Sequence, residues 1–243
     1  WLDGQEKGTD TLLGLTQDEQ PYPFGTVEAA AVTPSLLRGF SAPVILDYAY
    51  SDADLLHLLA HDADPFNRWE AAQRLSLSRL LGAVRGEALN LDGPYLDALR
   101  AVLRDPPLDP AFKDLLLTPP GESYIAEQLE EVDPPRIHRA RQSMRTALAH
   151  ALAHDWQALH DALAPRGGYS PDFASAGRRA LRNLAQSHLC ELGQPQWLGR
   201  VYQQVKDADN MTDRFAALAA LVHVGADLAQ PAQIAERRLK LAA

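Results

Sequence analysis

Between Leu36 and Leu75 the chain changes its pattern in one step, and no single layer of structure suits both sides. Before the step, short apolar runs are broken by Gly and Pro. After it, apolar residues recur at helical spacing nearly to the end. Two blocks straddle the change: Leu36-Leu37-Arg38-Gly39-Phe40-Ser41-Ala42-Pro43-Val44 and Asp64-Pro65-Phe66-Asn67-Arg68-Trp69-Glu70-Ala71-Ala72-Gln73-Arg74-Leu75. The step marks a junction between two folding units.

Residues 1–48 lack helical periodicity. Thr11-Leu12-Leu13-Gly14-Leu15 and Pro43-Val44-Ile45-Leu46-Asp47-Tyr48 are short, apolar and bounded by turn residues, so strands are expected there. Pro21, Pro23, Gly25 and Pro34 punctuate the stretch between them. Two or three strands alone bury too little surface to stand. The segment is therefore expected to complete a small β unit whose other strands lie outside the chain.

From Ser51 onward the signals are helical. Ser51-Asp52-Ala53-Asp54 has capping-box spacing ahead of Leu55, Leu56, Leu58 and Leu59. Asp64-Pro65, Asp109-Pro110, Asp133-Pro134 and Ser170-Pro171 share another start signal. Asp or Ser accepts orphan backbone N–H groups, and Pro at the first helical position loses only an unpaired donor. Asn210 is a further cap, before a Phe215, Leu218, Leu221, Val222 stripe expected to be buried. About nine helices follow by this reading, over 51–61, 65–83, 94–104, 110–117, 122–131, 134–163, 171–192, 195–206 and 211–225. Short polar connections imply antiparallel neighbours, hence a mainly α chain of layered helical hairpins resembling a solenoid. The irregular spacing of starts fits no strict repeat such as HEAT or TPR. On 65–83, Phe66, Trp69, Leu77, Leu80 and Leu81 share a side with Glu70 and Gln73, and Arg74 flanks it. Glu70 and Arg74, one turn apart, are the expected pair in a structural network at the junction.

Composition excludes several classes. The chain has 243 residues, 46% hydrophobic and 23% charged, which is ordinary for a globular protein and unlike a disordered one. A net charge of −9 argues against nucleic acid as a partner. The basic run Arg136, Arg139, Arg141, Arg145 reads as the polar face of a helix. No run approaches the ~20 apolar residues of a membrane span. Cys190 is the only cysteine and reads as a small buried hydrophobe, and a cytoplasmic home is expected. Trp1-Leu2-Asp3-Gly4 is no secretory signal and no initiator Met is present, so the chain is expected to begin inside a longer protein. Lys240-Leu241-Ala242-Ala243 resembles a vector-derived linker.

The residues supply no catalytic or metal site. His57/His61 and His150/His154 have the spacing at which two imidazoles on one helix can share a metal. A catalytic zinc helix needs Glu directly after the first His. Leu58 and Ala151 stand there instead, so the pairs read as surface histidines. No Gly-x-Ser-x-Gly, Walker A or dinucleotide fingerprint occurs, and Cys190 has no flanking base. Asn210-Met211-Thr212 fits a glycosylation triplet, but capping explains it better. Glu130/Glu131 reads as a solvated face. Catalytic, cofactor-binding and metal residues are accordingly expected to be none.

Leu36–Val44, Asn67–Leu75, Leu117–Glu127, Arg178–Leu184 and Asn210–Leu221 carry a resemblance. From about Leu15 to Leu221 the chain is similar to the later part of bacterial aminopeptidase N, the gluzincin-type zinc alanyl aminopeptidases. The resemblance implies a parent enzyme with an N-terminal β domain, a thermolysin-like catalytic domain, a small β-sandwich and a large helical C-terminal domain. By that implication residues 1–48 are the last strands of the sandwich and 49–243 part of the helical domain. The family's His-Glu-x-x-His and Gly-x-Met-Glu-Asn motifs have no counterpart here, since Met144 precedes Arg145 and Met211 precedes Thr212. The implied function is the non-catalytic helical cap of a zinc exopeptidase of peptide catabolism, its partners the missing catalytic domain and peptide substrates. Apolar faces made for absent domains should then be exposed. The alternative is a free-standing helical-repeat module that binds a protein partner.

Overall fold

Helices begin here where a side chain can accept the N–H groups that a first turn leaves unpaired. The computed structural model describes residues 11–23, 32–165 and 167–225. Ser51 opens α1 (Asp52–His61) with a complete capping box, its partner Asp54. Asp64 opens α2 (Pro65–Arg85), Asp109 opens α4 (Pro110–Leu117) and Asp133 opens α6 (Pro134–Ala151), each with Pro in the first turn. Asp92 opens α3 (Gly93–Arg104), a cap the sequence reading passed over. Asn210 opens α10 (Met211–His223). The remaining helices are α5 (Glu122–Ala126), α7 (Ala153–Ala162), α8 (Phe173–Glu191) and α9 (Pro195–Asp207).

Four expectations need correction. The helix expected over 134–163 is two, α6 and α7, parted at Leu152 with φ −117° and ψ 20°. No Gly or Pro signals that break; the Trp156 indole, buried beneath it, donates Nε1–H to the Leu148 carbonyl at 3.2 Å. The helix expected from Ser170-Pro171 starts later, because the Asp172 carboxylate accepts from the Ser175 N–H at 2.9 Å and is the cap. The helix expected over 122–131 ends at Ala126. Of the α10 stripe only Leu221 is buried, whereas Phe215 and Val222 are 66% and 61% exposed. The side that packs carries Asp213, Ala217, Ala220 and Leu221, small enough for α8 and α9 to approach closely.

The strands expected at Thr11–Leu15 and Pro43–Tyr48 do not form among the described residues. Among the described residues neither run has a backbone ladder partner, and Leu12, Leu15, Val44 and Ile45 are exposed. A strand exists only through the ladder it shares. Trp1–Gly4 and Lys240–Ala243 lie outside the described residues.

The chain divides into two compact units, residues 1–36 and 37–243. In the first, the Tyr22 hydroxyl donates to the Gly14 carbonyl at 2.7 Å and the Thr16 N–H to Gln20 Oε1 at 2.9 Å. In the second, α1 pairs with α2, α3 packs on α1, α4 and α7, and α8 runs centrally against α4, α6, α7, α9 and α10. One large core joins α1 to α8 around Leu59, Leu75, Leu80, Ile137, Met144, Trp156 and Leu181, with Trp197 of α9 at its edge. A second, smaller core lies among α8, α9 and α10, with Cys190, Val201, Ala217, Ala220 and Leu221 at its centre. Gly177 permits the close crossing of α4 and α8, for a Cβ there would sit 2.9 Å from the backbone nitrogen of Ala111.

Arg79 ties three helices together. Its guanidinium, 7% exposed, meets Asp52 at 2.9 Å and Asp92 at 2.6 Å, donates to the Leu75 carbonyl and lies over the Tyr95 ring. A charge so deeply placed is tolerated only when carboxylates surround it.

Candidate functional site

The two sequence blocks that straddle the pattern change meet in space. Leu37, Gly39 and Phe40 all adopt positive φ, near 54°, 61° and 54°, forming a tight corner around the 3-10 turn Arg38–Phe40. Arg38 bonds Asp62 at 2.6 Å, the Gly39 N–H reaches Asp64 Oδ2 at 2.9 Å, and the Phe40 and Phe66 rings sit 4.4 Å apart. Left-handed Leu and Phe are strained, and such strain persists only where surroundings hold it. The α1–α2 corner supplies that hold.

The polar side of α2 faces inward beside it. Gln73 Nε2 donates to the Thr118 carbonyl at 3.1 Å. Arg74 donates to the Tyr48 carbonyl at 3.0 Å and lies over the Tyr50 ring. Burial pushes the Glu70 carboxyl above the usual range, and the Arg74 charge offsets part of that. The expected Glu70–Arg74 relation is thus electrostatic, while the guanidinium hydrogen-bonds elsewhere.

The four histidines of the two pairs are exposed. His57 and His61 share α1 with ring centroids 4.9 Å apart, but among the described residues no group of three His, Cys, Asp or Glu could hold a metal ion. His150 and His154 fall on different helices, α6 and α7, on either side of Leu152. The zinc that the resemblance implies for a longer protein therefore finds no ligand set here, and no chemistry is routed through it. Cys190 is fully buried, and burial followed by the neighbouring Glu191 pushes its thiol up to about 12. A thiol so placed holds little of the reactive thiolate at neutral pH. The basic run of α6 divides: Arg136 and Arg139 are exposed, whereas Arg141 donates to the Pro120 carbonyl at 3.0 Å and Arg145 meets Glu191 at 3.3 Å.

Sequence reasoning missed a groove of about 600 Å³ between α8, α9 and the turns that flank them. Arg178, Arg179 and Arg182 of α8 and Arg200 of α9 line it, opposite Asp207, Asp209 and Asp213. The spacing of Arg178, Arg179 and Arg182 along one helix was visible in the chain. Their convergence with Arg200 depends on the α8–α9 crossing. A second depression, beside the ends of α8 and α10, holds the buried Glu191, which accepts from Gln142, Arg145 and Thr146.

Residues 52–239 match a family described as a domain of unknown function (DUF3458_C), ARM repeats. The chain belongs to this ARM-repeat family. It is 39% identical over 224 residues to an aminopeptidase N of Caulobacter vibrioides, covering 92% of the chain and 26% of that protein. With an aminopeptidase N of Escherichia coli it shares 35% identity, covering 88% of the chain and 25% of that relative. A crystal structure of Legionella pneumophila aminopeptidase A in complex with aspartic acid superposes with a TM-score of 0.70 at 28% identity, over 83% of the chain and 24% of that structure. The chain thus spans about a quarter of the length of these relatives. The resemblance to aminopeptidase N drawn from the sequence blocks stands on these matches, and the layered helices are those of an ARM-repeat domain. Among the described residues no helix is long and apolar enough to cross a membrane.

Proposed function

We propose that this chain is the non-catalytic helical part of a zinc-dependent aminopeptidase that removes N-terminal residues from peptides. The carrying observation is the 34–39% identity to aminopeptidase N proteins over nearly the whole chain. On this reading residues 1–48 end a small β-sandwich and 49–243 form the helical domain. That domain caps the active-site cavity of a catalytic domain in the same polypeptide and restricts entry to peptides. Two features support a cap. The strained Leu37–Phe40 corner and the Phe66–Trp69 aromatics present a shaped edge beside α2. Large apolar side chains, Ile45 at 98% and Phe215 at 66% exposure, stand ready for neighbours. The single cysteine suits a reducing, cytoplasmic compartment.

The test is hydrolysis of an alanine anilide. The purified chain with zinc should show none, while the longer protein should turn it over and lose that activity with a chelator. Turnover by the chain that survives repurification and is lost with chelator overturns the non-catalytic assignment. A native reading frame without an upstream His-Glu-x-x-His would instead favour a free-standing interaction module, the reading to which the ARM-repeat description lends weight.

A further inference from the structure

The groove between α8 and α9 carries guanidinium groups that its own carboxylates do not neutralise by contact. Among the described residues no carboxylate oxygen lies within 4.0 Å of Arg178, Arg179, Arg182 or Arg200. Their partners are neutral. Arg179 donates to the Ser170 carbonyl at 2.6 Å, Arg182 to Gln204 Oε1 at 3.3 Å and Arg178 to the Ala162 carbonyl at 3.4 Å. Arg200 lies over the Trp197 ring, 4.8 Å from its centre, and Arg179 over Tyr169 at 4.7 Å. Among the described residues the buried Nε atoms of Arg179 and Arg182 have no hydrogen-bond partner.

The acids across the groove are already engaged. Asp213 accepts from the Asn183 and Asn210 amides at 2.9 Å each, and Asp209 accepts from the Asn210 amide and the Tyr169 N–H. Asp207 accepts from Gln203 Nε2 at 2.8 Å. Neutral donors hold these carboxylates in place, so they act on the arginines only at longer range. Each guanidinium offers more N–H donors than one carbonyl or amide oxygen uses. The imbalance is therefore one of donors over acceptors, in a groove of the size that small ligands fill.

We infer that this groove is a binding site for a small oxyanion-bearing ligand, a phosphoryl or dicarboxylate group held between Arg182 and Arg200 with Arg178 at the rim. Arginine is suited to the task because its planar fork meets phosphate and carboxylate oxygens in pairs and gives up little hydration. Two helices supply the donors, so a ligand would also brace the α8–α9 crossing. Binding at this groove is independent of the peptidase assignment.

The test is calorimetric titration of the full chain with inorganic phosphate, sulfate and succinate, with sodium chloride at equal ionic strength as control. Sulfate and phosphate stabilise most proteins by exclusion, so melting shifts alone do not count. Saturable one-site binding is expected, weakened at least tenfold by Arg200→Gln and by Arg182→Gln and unchanged by Arg85→Gln on the exposed end of α2. Preference for phosphate marks a phosphoryl ligand and preference for succinate a carboxylate; either supports the site. Should Arg182→Gln fail to fold by circular dichroism, the exposed Arg200→Gln carries the test alone. No heat beyond that of chloride, or Arg200→Gln binding as tightly as the parent chain, overturns the inference.

Discussion

The backbone N–H of Gly39 donates to the Asp64 carboxylate at 2.9 Å, while the other oxygen of that carboxylate caps α2 through Asn67 at 3.0 Å. One side chain thereby starts a helix and anchors a strained corner. Burial pushes Asp64 up, but hydrogen bonds from the Asn67, Gly39 and Phe66 N–H groups, with the Arg38 charge, hold it below the usual carboxylate range. Asp64→Ala should cost about 1–2 kcal/mol in urea unfolding, the worth of a lost cap. It should also quicken proteolysis around residues 37–42. Asp64→Asn, which keeps a capping oxygen, should retain most of the stability. Equal losses for both variants would show that charge, not capping, decides.

Gly177 is the second case where one atom decides. Alanine is normally favoured over glycine within a helix by about 1 kcal/mol. At Gly177 the added carbon would meet the Ala111 backbone nitrogen at 2.9 Å and the Ala111 Cβ at 3.0 Å, and backbone cannot swing aside. Gly177→Ala should therefore destabilise, by about 1–3 kcal/mol net of its propensity gain. Ala111→Gly in the same chain should restore only part, because the nitrogen contact stays. A stabilised Gly177→Ala would mean that α4 and α8 can separate freely.

The His188 imidazole stacks on the Trp156 indole with centroids 4.3 Å apart and planes 8° from parallel. It is fully buried, and among the described residues neither ring nitrogen has a partner within hydrogen-bond geometry. Burial first, then the Arg145 charge, push its pKa down from 6.5 to about 3, and backbone contact with Arg145 offsets only part. The unfolded chain takes up a proton near 6.5 that the folded chain refuses until about 3. Stability is thus undiminished above the unfolded value and lost on acidification through that window, by at most about 1.4 kcal/mol per pH unit from this group. His160, also held down by burial, acts with the same sign. Urea midpoints measured from neutral to acid pH should fall less steeply for His188→Leu than for the parent chain, whatever their absolute values. Parallel slopes would sink the assignment.

Met211, Phe215, Leu218 and Val222 recur at helical spacing along the outer side of α10, from 38% to 76% exposed. A contiguous apolar stripe on a free surface promotes self-association. Sedimentation velocity of the chain at rising concentration should show reversible association that Phe215→Ser with Val222→Ser abolishes. Because both side chains are exposed, stability should stay within about 0.5 kcal/mol of the parent. A parent chain that remains monomeric throughout removes the stripe as a contact surface.

Much of the helical architecture could be read along the chain because its signals are local. Ser51, Asp64, Asp109, Asp133 and Asn210 act on N–H groups a few residues away, so their position alone marks the start. Asp172 was missed because Ser170-Pro171 offers a competing cap two residues earlier, and only the finished turn shows which oxygen accepts. The groove arginines were visible as residues but not as a group, since Arg200 lies on another helix.

Local chemistry along the chain set where helices begin and which residues could share a face; it also placed the family resemblance in particular blocks. Tertiary structure alone decided which face of α10 is covered, where α6 yields to α7 and that Arg38–Phe40 docks on Asp62 and Asp64. The physical reason is range. Capping and turn energies act over a few residues, whereas burial, helix crossing and charge pairing depend on partners far away in sequence, which periodicity cannot name.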